Sequence, residues 1–409
     1  MNTLFKISWR NLYRNFRRTL IMAIVVAIGF VGTIFCLSFV QGYMRQTVEN
    51  AIQAHTGHLQ IHQLGFADNP VIKKRIQKPQ TVERILSEHS TEIQAFTQRI
   101  KNQGMINSSE SSAGALIIGI DPEKEAEITQ IKKSLVEGQY LAPDDAHAVY
   151  LGKALAKKLK VHLNDKIVLM GQTLHQEIGG GAFRVKGLFQ TSSPSFDKAM
   201  VFITLPAAQN LFEMKTAVSE FTIIARQPET LEVLQTEIKS GLNAQDYEVL
   251  TWKELLPALA QLIETSSGTV YIIVFILLIG ICFSIINTLF VIVFERFREF
   301  GIMKALGTPP RHIFVLILFE ALGMTSLGIA LGGVLSTGIM SYFHIYGLNL
   351  SAYSKGIAIM NLGEIFYLSV TPAQIITSIV LTLLIVALAA LYPAWVAARI
   401  QPIKALKFI

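Results

Sequence analysis

Four charged side chains lie within five residues of one another, between two long apolar segments: Glu295, Arg296, Arg298 and Glu299. An uncharged segment, residues 270–294, precedes them, and another apolar segment begins near Ile313. Because charge inside hydrocarbon is costly, a charged connection between two membrane spans must lie at a water interface. The chemistry that these side chains offer there is ionic contact with a partner.

Small residues follow the charges directly and allow another surface to approach closely. We therefore predict that residues 295–310, here called the hinge segment, form a short helix presented to a cytoplasmic partner. The candidate coupling residues are Glu295, Arg296, Arg298, Glu299, Gly301, Lys304, Ala305 and Gly307.

Catalytic motifs are absent from the chain. The phosphate-binding pattern G-x-x-x-x-G-K-[ST] does not occur, and Gly152-Lys153 continues with Ala154, which offers no magnesium ligand. Neither G-x-S-x-G nor H-E-x-x-H is present. We expect a non-catalytic subunit that holds no cofactor and no metal.

Two further sets of ionisable residues are candidate sites. Glu320 is the one acidic residue in a predicted span, about two turns inside it by helical rise. A proton relay is one interpretation of such an acid, but we favour a structural polar contact near the cytoplasmic side. His55, His58 and His62 match zinc signatures only loosely, so we do not expect a metal there.

Composition predicts an integral membrane protein. Hydrophobic residues make up 51% of the 409 and charged residues only 16%, below the roughly 25% of soluble domains. The net charge of +7 comes largely from cations beside apolar spans, which favours membrane orientation over nucleic-acid binding. Cys36 and Cys282 both lie in apolar segments, so no disulfide framework is expected.

Apolar segments and flanking cations predict four transmembrane helices with both termini cytoplasmic. Arg399, Lys404 and Lys407 support the assignment at the C-terminal end. The predicted boundaries are a cytoplasmic amphipathic helix 1–18, transmembrane helix 19–43, an external α+β domain 44–265, transmembrane helix 266–294, the hinge segment 295–310, transmembrane helix 311–343, an external loop 344–371, transmembrane helix 372–397 and a cytoplasmic tail 398–409.

Local patterns make several finer predictions. Residues 79–101 look helical, residues 106–114 look like a loop, and residues 179–181 look like a glycine-rich tip. Capping boxes or caps are predicted at Thr251 with Glu254, at Thr308 before two prolines, and at Thr371 before Pro372. Gly328 and Gly332 have the spacing of close helix packing in membranes.

The chain resembles the MacB/FtsX-like permeases, the type VII ABC transporters, in five motifs that occur in the family's order and cover nearly its whole length. The hinge pattern Glu295-Arg296-x-Arg298-Glu299-x-Gly301-x-x-x-Ala305-x-Gly307 is the most specific of them. The others are Ser8-Trp9-Arg10-Asn11-Leu12 with Arg17-Arg18-Thr19, then Gly119-Ile120-Asp121-Pro122 with Gly138-Gln139-Tyr140-Leu141 and Leu151-Gly152-x-x-Leu155-Ala156, then Glu320 with the following glycines, and finally Tyr392-Pro393-Ala394-x-x-Ala397-Ala398-Arg399 with Pro402 and Ala405-Leu406.

The resemblance implies a multi-pass protein of the bacterial inner membrane, with a large α+β periplasmic domain inserted between transmembrane helices 1 and 2. The hinge segment would be the coupling helix that docks on a separate cytoplasmic ABC ATPase dimer, which binds the ATP and Mg²⁺. A second permease subunit, identical or different, and membrane lipids would complete the assembly.

Within that family the chain is most similar to the lipoprotein-releasing LolC/LolE-type permeases. It has no fused ATPase, and both Gly57-His58-Leu59-Gln60-Ile61 and Thr251-Trp252 resemble that branch. The implied function is release of lipoproteins from the inner membrane to a periplasmic carrier. In the region of the carrier-binding loop, residues 171–182, this chain is glycine-rich and lacks the expected proline. Candidate substrate-cavity residues are Phe35, Phe39, Tyr43, Tyr271 and Phe275.

Three alternatives stay open. A MacB-like exporter of small molecules or peptides would require a periplasmic adaptor. An FtsX-like regulator of cell-wall hydrolases would transport nothing, although the external domain is larger than that role suggests. A four-span receptor without an ATPase would leave the hinge pattern unexplained.

Overall fold

The computed structural model describes residues 2–14, 16–191, 193–349 and 365–401. Residues 350–364 of the predicted external loop lie outside the described residues, as do Pro402, Lys404, Ala405, Leu406 and Lys407. The described residues form two compact units. The first unit lies within Met1–Arg45, Ile263–Asn349 and Ile365–Ile409, and the second lies within Gln46–Leu262.

The described helices follow one another along the chain as α1 (Asn2–Arg14), α2 (Phe16–Ala51), α3 (Pro79–Glu88), α4 (Pro122–Ile128), α5 (Lys153–Leu159), α6 (Pro194–Ala199), α7 (Leu205–Phe212), α8 (Leu231–Gly241), α9 (Trp252–Leu255), α10 (Pro257–Glu295), α11 (Phe297–Ala305), α12 (Pro310–Tyr346) and α13 (Pro372–Ala398). A π-helix, Ile52–Thr56, continues α2, and a 3₁₀ turn, Pro228–Thr230, precedes α8.

The described strands are β1 (Leu59–Gln63), β2 (Ile93–Asn107), β3 (Ser112–Ile120), β4 (Leu135–Gly138), β5 (Ala148–Gly152), β6 (Lys166–Gln172), β7 (Ile178–Phe189), β8 (Met200–Thr204), β9 (Glu220–Ala225), β10 (Tyr247–Thr251), β11 (Leu348–Asn349) and β12 (Ile365–Phe366).

Four of the described helices are long and apolar enough to cross a membrane: Phe16–Thr56, Pro257–Glu295, Pro310–Tyr346 and Pro372–Ala398. Along the chain, the second unit lies between the first and second of these helices. Their shared core is apolar and includes Met22, Val26, Ile285, Met324 and Val386.

Small residues bring α12 against α2, as the glycine spacing predicted. A Cβ placed on Gly328 would lie 2.7 Å from Val26 Cβ and 2.8 Å from the Ala23 carbonyl oxygen. A Cβ on Gly332 would lie 3.0 Å from the Ala27 carbonyl oxygen. Lipid tails are as apolar as leucine, so helix association in a bilayer depends on this kind of close contact.

Two helix starts agree with their predicted caps and one does not. The Glu254 backbone N–H donates to Thr251 Oγ1 at 3.4 Å, and the Thr251 N–H donates back to Glu254 Oε2 at 2.7 Å. Thr371 forms the same box with Gln374. The cap predicted at Thr308 is wrong: Pro309 occupies the N-cap of α12, and the Thr308 N–H donates to the Met303 carbonyl of the preceding turn.

The second unit is built on a ten-stranded sheet within the described residues, in the order β10-β1-β9-β2-β3-β8-β5-β7-β4, with β6 paired to β2 and β7. Most neighbours are antiparallel, whereas β3 with β8 and β5 with β7 are parallel. Helices α5 and α7 cover one apolar cluster, and α3 and α8 cover another. This is the α+β architecture expected from the alternating patterns.

Two local predictions in this unit are wrong because long-range pairing overrides local pattern. The helix predicted over 79–101 ends at Glu88, and Ile93–Asn107 forms β2, which pairs with β3, β6 and β9. The glycine-rich tip at 179–181 lies inside β7, opposite Leu169–Gly171 of β6. The loop predicted over 106–114 is shorter than expected: residues 108–111 connect β2 to β3, and the other residues belong to those strands.

Buried charges join several strands of the second unit. Arg99, 1% exposed, donates to Glu125 at 2.9 and 2.7 Å and to Glu220 at 3.3 Å. Burial alone would raise the pKa of Glu220, but Lys101, His62 and Arg99 outweigh it and hold that pKa well below its ordinary value. Burial would lower the pKa of His62, yet its contacts with Glu220 and Glu248 raise it.

We predict that Gly328→Leu destabilises the first unit by about 1–3 kcal/mol, the usual cost of overpacking, because Val26 and the α2 backbone occupy the space. Thermal unfolding of the detergent-solubilised protein measures this. Gly338→Leu is the matched control, since a Cβ there meets nothing within 4 Å. Equal unfolding temperatures for the two variants would contradict close packing at Gly328.

We predict that protonated His62 stabilises the second unit. Because its folded pKa is raised, this stability is fully present below the unfolded pKa and is lost as the pH rises through the folded pKa. Each tenfold difference in proton affinity between the folded and unfolded states contributes about 1.4 kcal/mol. Glu220, whose pKa is lowered, stays ionised in this range.

The range from about pH 6 to pH 9 brackets the ordinary pKa of histidine. Calorimetry of the full chain over this range should show an unfolding temperature that falls as the pH rises, and His62→Gln should flatten this dependence. His162→Gln, at a side chain 90% exposed, should keep the slope. An unchanged slope in His62→Gln would refute the assignment.

Candidate functional site

The hinge segment folds as a short helix between two long ones. Glu295 ends α10, Arg296 is the N-cap of α11, and α11 ends at Ala305. Gly307 then adopts a φ of +91°, a left-handed conformation that glycine accepts without strain. The chain can therefore reverse direction and enter α12 at Pro310.

A buried ion pair fixes the start of this helix. Arg296 is 7% exposed and Glu320, on α12, is 4% exposed. Arg296 Nη1 donates to Glu320 Oε1 at 2.9 Å and to Oε2 at 2.8 Å. Asn11 Nδ2, on α1, donates to Glu320 Oε1 at 2.7 Å. Glu320 therefore makes the structural polar contact that we favoured, and its charge is compensated.

Further contacts of Arg296 engage its guanidinium within the chain. Its Nε donates to Glu299 Oε2 at 2.8 Å, and the guanidinium lies 5.0 Å from the centre of the Phe300 ring. Arg296 was predicted to contact a partner, whereas the structure turns it inward. The sequence identifies Arg296 as a functional candidate, but it does not show that Glu320 on α12 is the ionic partner of Arg296.

Two exposed ion pairs connect the N-terminal helices to the same segment. Arg18 Nη1, near the start of α2, lies 2.5 Å from Glu295 Oε2, and Arg14 Nη2, at the end of α1, lies 3.4 Å from Glu299 Oε1. Exposed pairs of this kind contribute little stability. They place N-terminal cations beside the acidic residues of the hinge segment, so the predicted charge contacts of Glu295 and Glu299 are partly used within the chain.

Lys304 also serves an internal contact rather than pointing outward. Its Nζ donates to the carbonyl oxygens of Ala398 at 3.0 Å and Ile400 at 2.7 Å. Those carbonyls belong to the end of α13 and the residues just after it, where helices leave acceptors unsatisfied and favour a cation. Lys304 thus ties α11 to α13.

The apolar back of α11 packs on both neighbouring helices. Phe300 is fully buried, in a cluster with Ile313 and Ile317 of α12 and Ala394 of α13. Gly301, predicted to allow close approach of a partner, is also buried. Gly301 therefore offers no exposed surface for the partner contact that we predicted there.

The opposite face of α11 is open. Of the predicted coupling residues, Glu295, Arg298, Glu299, Ala305 and Gly307 are exposed. Sequence reasoning missed two apolar residues on this face: Ile302 is 42% exposed and Leu306 is 82% exposed. Their spacing of four residues is that of one helix face, a signal that could have identified them.

The candidate substrate-cavity residues occupy different surroundings in the first unit. Tyr271 and Phe275 on α10 are 62% and 60% exposed. Phe39 on α2 lies 6.4 Å from Phe35 and 4.8 Å from Phe366, measured between ring centres. Tyr43 lies one turn further along α2 and is half-buried.

Known protein families match most of the chain. The family model of the MacB-like periplasmic core domain matches residues 19–240, more than half of the chain. The model of the FtsX-like permease C-terminal region matches residues 271–402, which include the hinge segment.

Several relatives align over long stretches. The lipoprotein-releasing system transmembrane protein LolE of Haemophilus influenzae is 24% identical over 99% of both chains. A LolC protein of Xylella fastidiosa strain Temecula1 is 24% identical over 72% of this chain and 73% of its own. The macrolide export ATP-binding/permease protein MacB 2 of Yersinia pestis is 30% identical over 40% of this chain and 22% of its own.

Among solved structures, the periplasmic region of MacB from Actinobacillus actinomycetemcomitans covers 53% of this chain and 97% of its own, at 17% identity and a TM-score of 0.35.

We predict that Arg296→Met destabilises the first unit by about 3–5 kcal/mol, because it leaves the buried Glu320 carboxylate uncompensated. The double variant Arg296→Met with Glu320→Met should recover much of this loss. Thermal unfolding in detergent measures these two variants and the single variant Glu320→Met. Arg298→Met, at the exposed neighbour, should change stability by no more than about 0.5 kcal/mol. A double variant that loses the sum of the two single losses would show that the two residues act independently.

Proposed function

Because the chain belongs to the MacB/FtsX-like family of ABC transporter permeases, we propose that it couples ATP hydrolysis by a separate ATPase to movement of its external domain, and so releases lipoproteins from the membrane. The observation that carries this proposal is the two-sided character of α11. One face is anchored to other helices of the same chain, and the other presents exposed charged and apolar groups.

Docking on the ATPase is the first step of the proposal. One relative, MacB 2, is by its name both an ATP-binding protein and a permease, whereas this chain has no phosphate-binding motif of its own, so we propose that a separate ABC ATPase supplies that function. The exposed face of α11 offers Arg298 and Glu299 for charged contacts and Ile302 and Leu306 for an apolar contact. A buried apolar anchor surrounded by charged groups is the usual form of a protein interface. The ATPase dimer would supply all bound ATP and Mg²⁺.

Transmission of force is the second step. Arg296 and Glu320 link α11 to α12 and α1, and Lys304 links α11 to α13. A displacement of α11 would therefore reach the third and fourth long helices through bonded contacts rather than through flexible loops. The second long helix, α10, is joined to α11 through Glu295 and Arg296 and runs without a break back to Pro257.

Hydrogen bonds within the second unit hold α9, the short helix that precedes α10. Glu254 of the capping box accepts from Gln235 Nε2 at 2.7 Å, and the same Nε2 donates to the Val249 carbonyl at 2.8 Å. Helix α9 is thereby held to α8 and β10. The chain continues from α9 into α10 across Leu256 alone, which makes this lead-in suited to passing motion between helix and domain.

Lipoproteins are the proposed substrate because relatives aligned over most of the chain are lipoprotein-releasing system proteins. In this proposal the acyl chains leave the outer leaflet between the first and second spans of two permease subunits. Phe35, Phe39, Tyr43, Tyr271 and Phe275 would line their path. The protein would reside in the bacterial inner membrane with both termini in the cytoplasm, and a periplasmic carrier would receive the product.

Export of small molecules or peptides is a second candidate function. It is favoured by the 30% identity to the macrolide export protein MacB 2 over 40% of this chain. It requires an adaptor on the external side, and it predicts a soluble cargo. The cargo that co-purifies with the assembled complex distinguishes the two: an acylated protein supports lipoprotein release, and a peptide or drug supports export.

We predict that Leu306→Glu removes ATPase docking, because it places a charge in the centre of the proposed apolar contact. Leu306 is 82% exposed, so the fold should be retained. Co-purification of the ATPase with the tagged permease should fall at least about tenfold, which corresponds to about 1.4 kcal/mol, and permease-stimulated ATP hydrolysis should fall with it. Leu64→Glu, at a 51% exposed leucine of the second unit, is the matched control. If ATPase recovery is the same in both variants, α11 is not the docking helix.

A further inference from the structure

A cavity of about 540 Å³ opens between α2, α12 and the segment that leads into α13. Its volume is within the roughly 300–1,000 Å³ of small-molecule sites. The floor is apolar and buried, with Phe30 and Ile34 from α2 and Leu368 from the segment before α13. Among the described residues of its lining, none comes from α10 or α11, so neither the proposed docking face nor Tyr271 and Phe275 take part in it.

The rim of this cavity carries a fixed cation, Arg45, beside the imidazole of His344. Arg45 and His344 both line it and are exposed. None of the lining residues that the structure describes carries an acidic side chain. A negative group at the rim would therefore meet a fixed positive charge at Arg45 without a competing carboxylate in the described lining.

One buried polar group in the lining has no protein partner within the described part of the chain. Ser336 is 4% exposed, and its Oγ makes no hydrogen bond there. The hydroxyl of the next residue, Thr337, donates to the carbonyl four residues earlier, the usual solution inside a helix. A buried hydroxyl without a partner is costly, so an occupant that brings an acceptor oxygen to Ser336 would remove this cost.

The surface around the cavity is apolar and exposed. On α12, Val334 is 75% exposed and Leu335 is 57% exposed, and Ile376 on α13 is 62% exposed. In a span-length helix such apolar surface contacts lipid tails. The occupant can therefore enter from the membrane, where acyl chains are abundant.

We propose that this cavity binds an anionic glycerophospholipid of the bilayer. One acyl chain lies on the Phe30, Ile34 and Leu368 floor, an ester carbonyl accepts a hydrogen bond from Ser336 Oγ, and the phosphate and its anionic headgroup lie at Arg45 and His344. The site does not depend on the proposed substrate or on ATPase docking.

The structure offers a cavity-filling variant and a matched control on the same helix. Gly333 lines the cavity, and a Cβ there meets nothing within 4 Å, so leucine at this position fits and occupies the lipid's space. Gly338 has equally open surroundings but does not line the cavity. Arg45→Gln removes the rim charge, and Arg226→Gln removes an exposed charge in the second unit.

The experiment reconstitutes the full chain in nanodiscs of phosphatidylcholine and phosphatidylglycerol in equal amounts, transfers it to mild detergent and counts retained lipids by native mass spectrometry. The unmodified protein and Gly338→Leu should retain phosphatidylglycerol severalfold over phosphatidylcholine. Gly333→Leu should lose the retained lipid. Arg45→Gln should lose the preference, and Arg226→Gln should keep it.

Equal retention of the two lipids by the unmodified protein would overturn the proposal, as would undiminished retention in Gly333→Leu. If Arg45→Gln still prefers phosphatidylglycerol to phosphatidylcholine, the headgroup does not lie at Arg45. This test remains valid even if Gly333→Leu fails to fold. If an acylated protein is retained instead of a lipid, and Gly333→Leu and Arg45→Gln lose it, the cavity binds substrate and the lipid proposal is wrong. ATPase co-purification should be normal in all four variants, which separates this result from a failure of the coupling proposal.

Discussion

The arrangement of helices in the first unit depends on the free-energy cost of placing charge next to hydrocarbon. A carboxylate on α12 and a guanidinium between α10 and α11 are both almost fully buried, and each is acceptable only because the other is present. Asn11 adds a hydrogen bond from α1. One ion pair therefore requires α1, α11 and α12 to be in one arrangement, since separation of α11 from α12 would leave an unpaired charge in an apolar environment.

That requirement explains why α11 has two unlike faces. Its buried side carries Phe300 and the contacts of Arg296 and Lys304, so its position is determined by other helices of the unit. Its exposed side carries charges and two apolar residues, Ile302 and Leu306. A helix with one face packed on its own chain and the other face exposed can receive force from a partner and transmit it. This is the role that we propose for α11 in this permease.

The second unit shows where local pattern stops being informative. Ala115 to Ile120 and Phe221 to Ala225 are largely apolar segments that lie in β3 and β9, and this is the composition that burial on two faces of a strand requires. The pattern of 79–101 predicts a continuous helix, yet Ile93–Asn107 is a strand that pairs with the next strand, β3, and with β6 and β9, which lie further along the chain. Strand β9 lies more than a hundred residues further along the chain, so its hydrogen bonds to β2 cannot be predicted from the sequence of β2 alone.

The sequence by itself determined the four span-length apolar helices that the structure describes, the place of the large inserted domain along the chain, the helix caps at Thr251 and Thr371, and the segment that carries the charges. These follow from local physics, because hydropathy, charge and capping act over a few residues. Only the tertiary structure decided which charges are available. Arg296 and Arg298 are chemically identical and two residues apart, but Arg296 is buried against Glu320 and Arg298 is exposed. That distinction depends on how α12 packs against α11, which is a property of the folded chain.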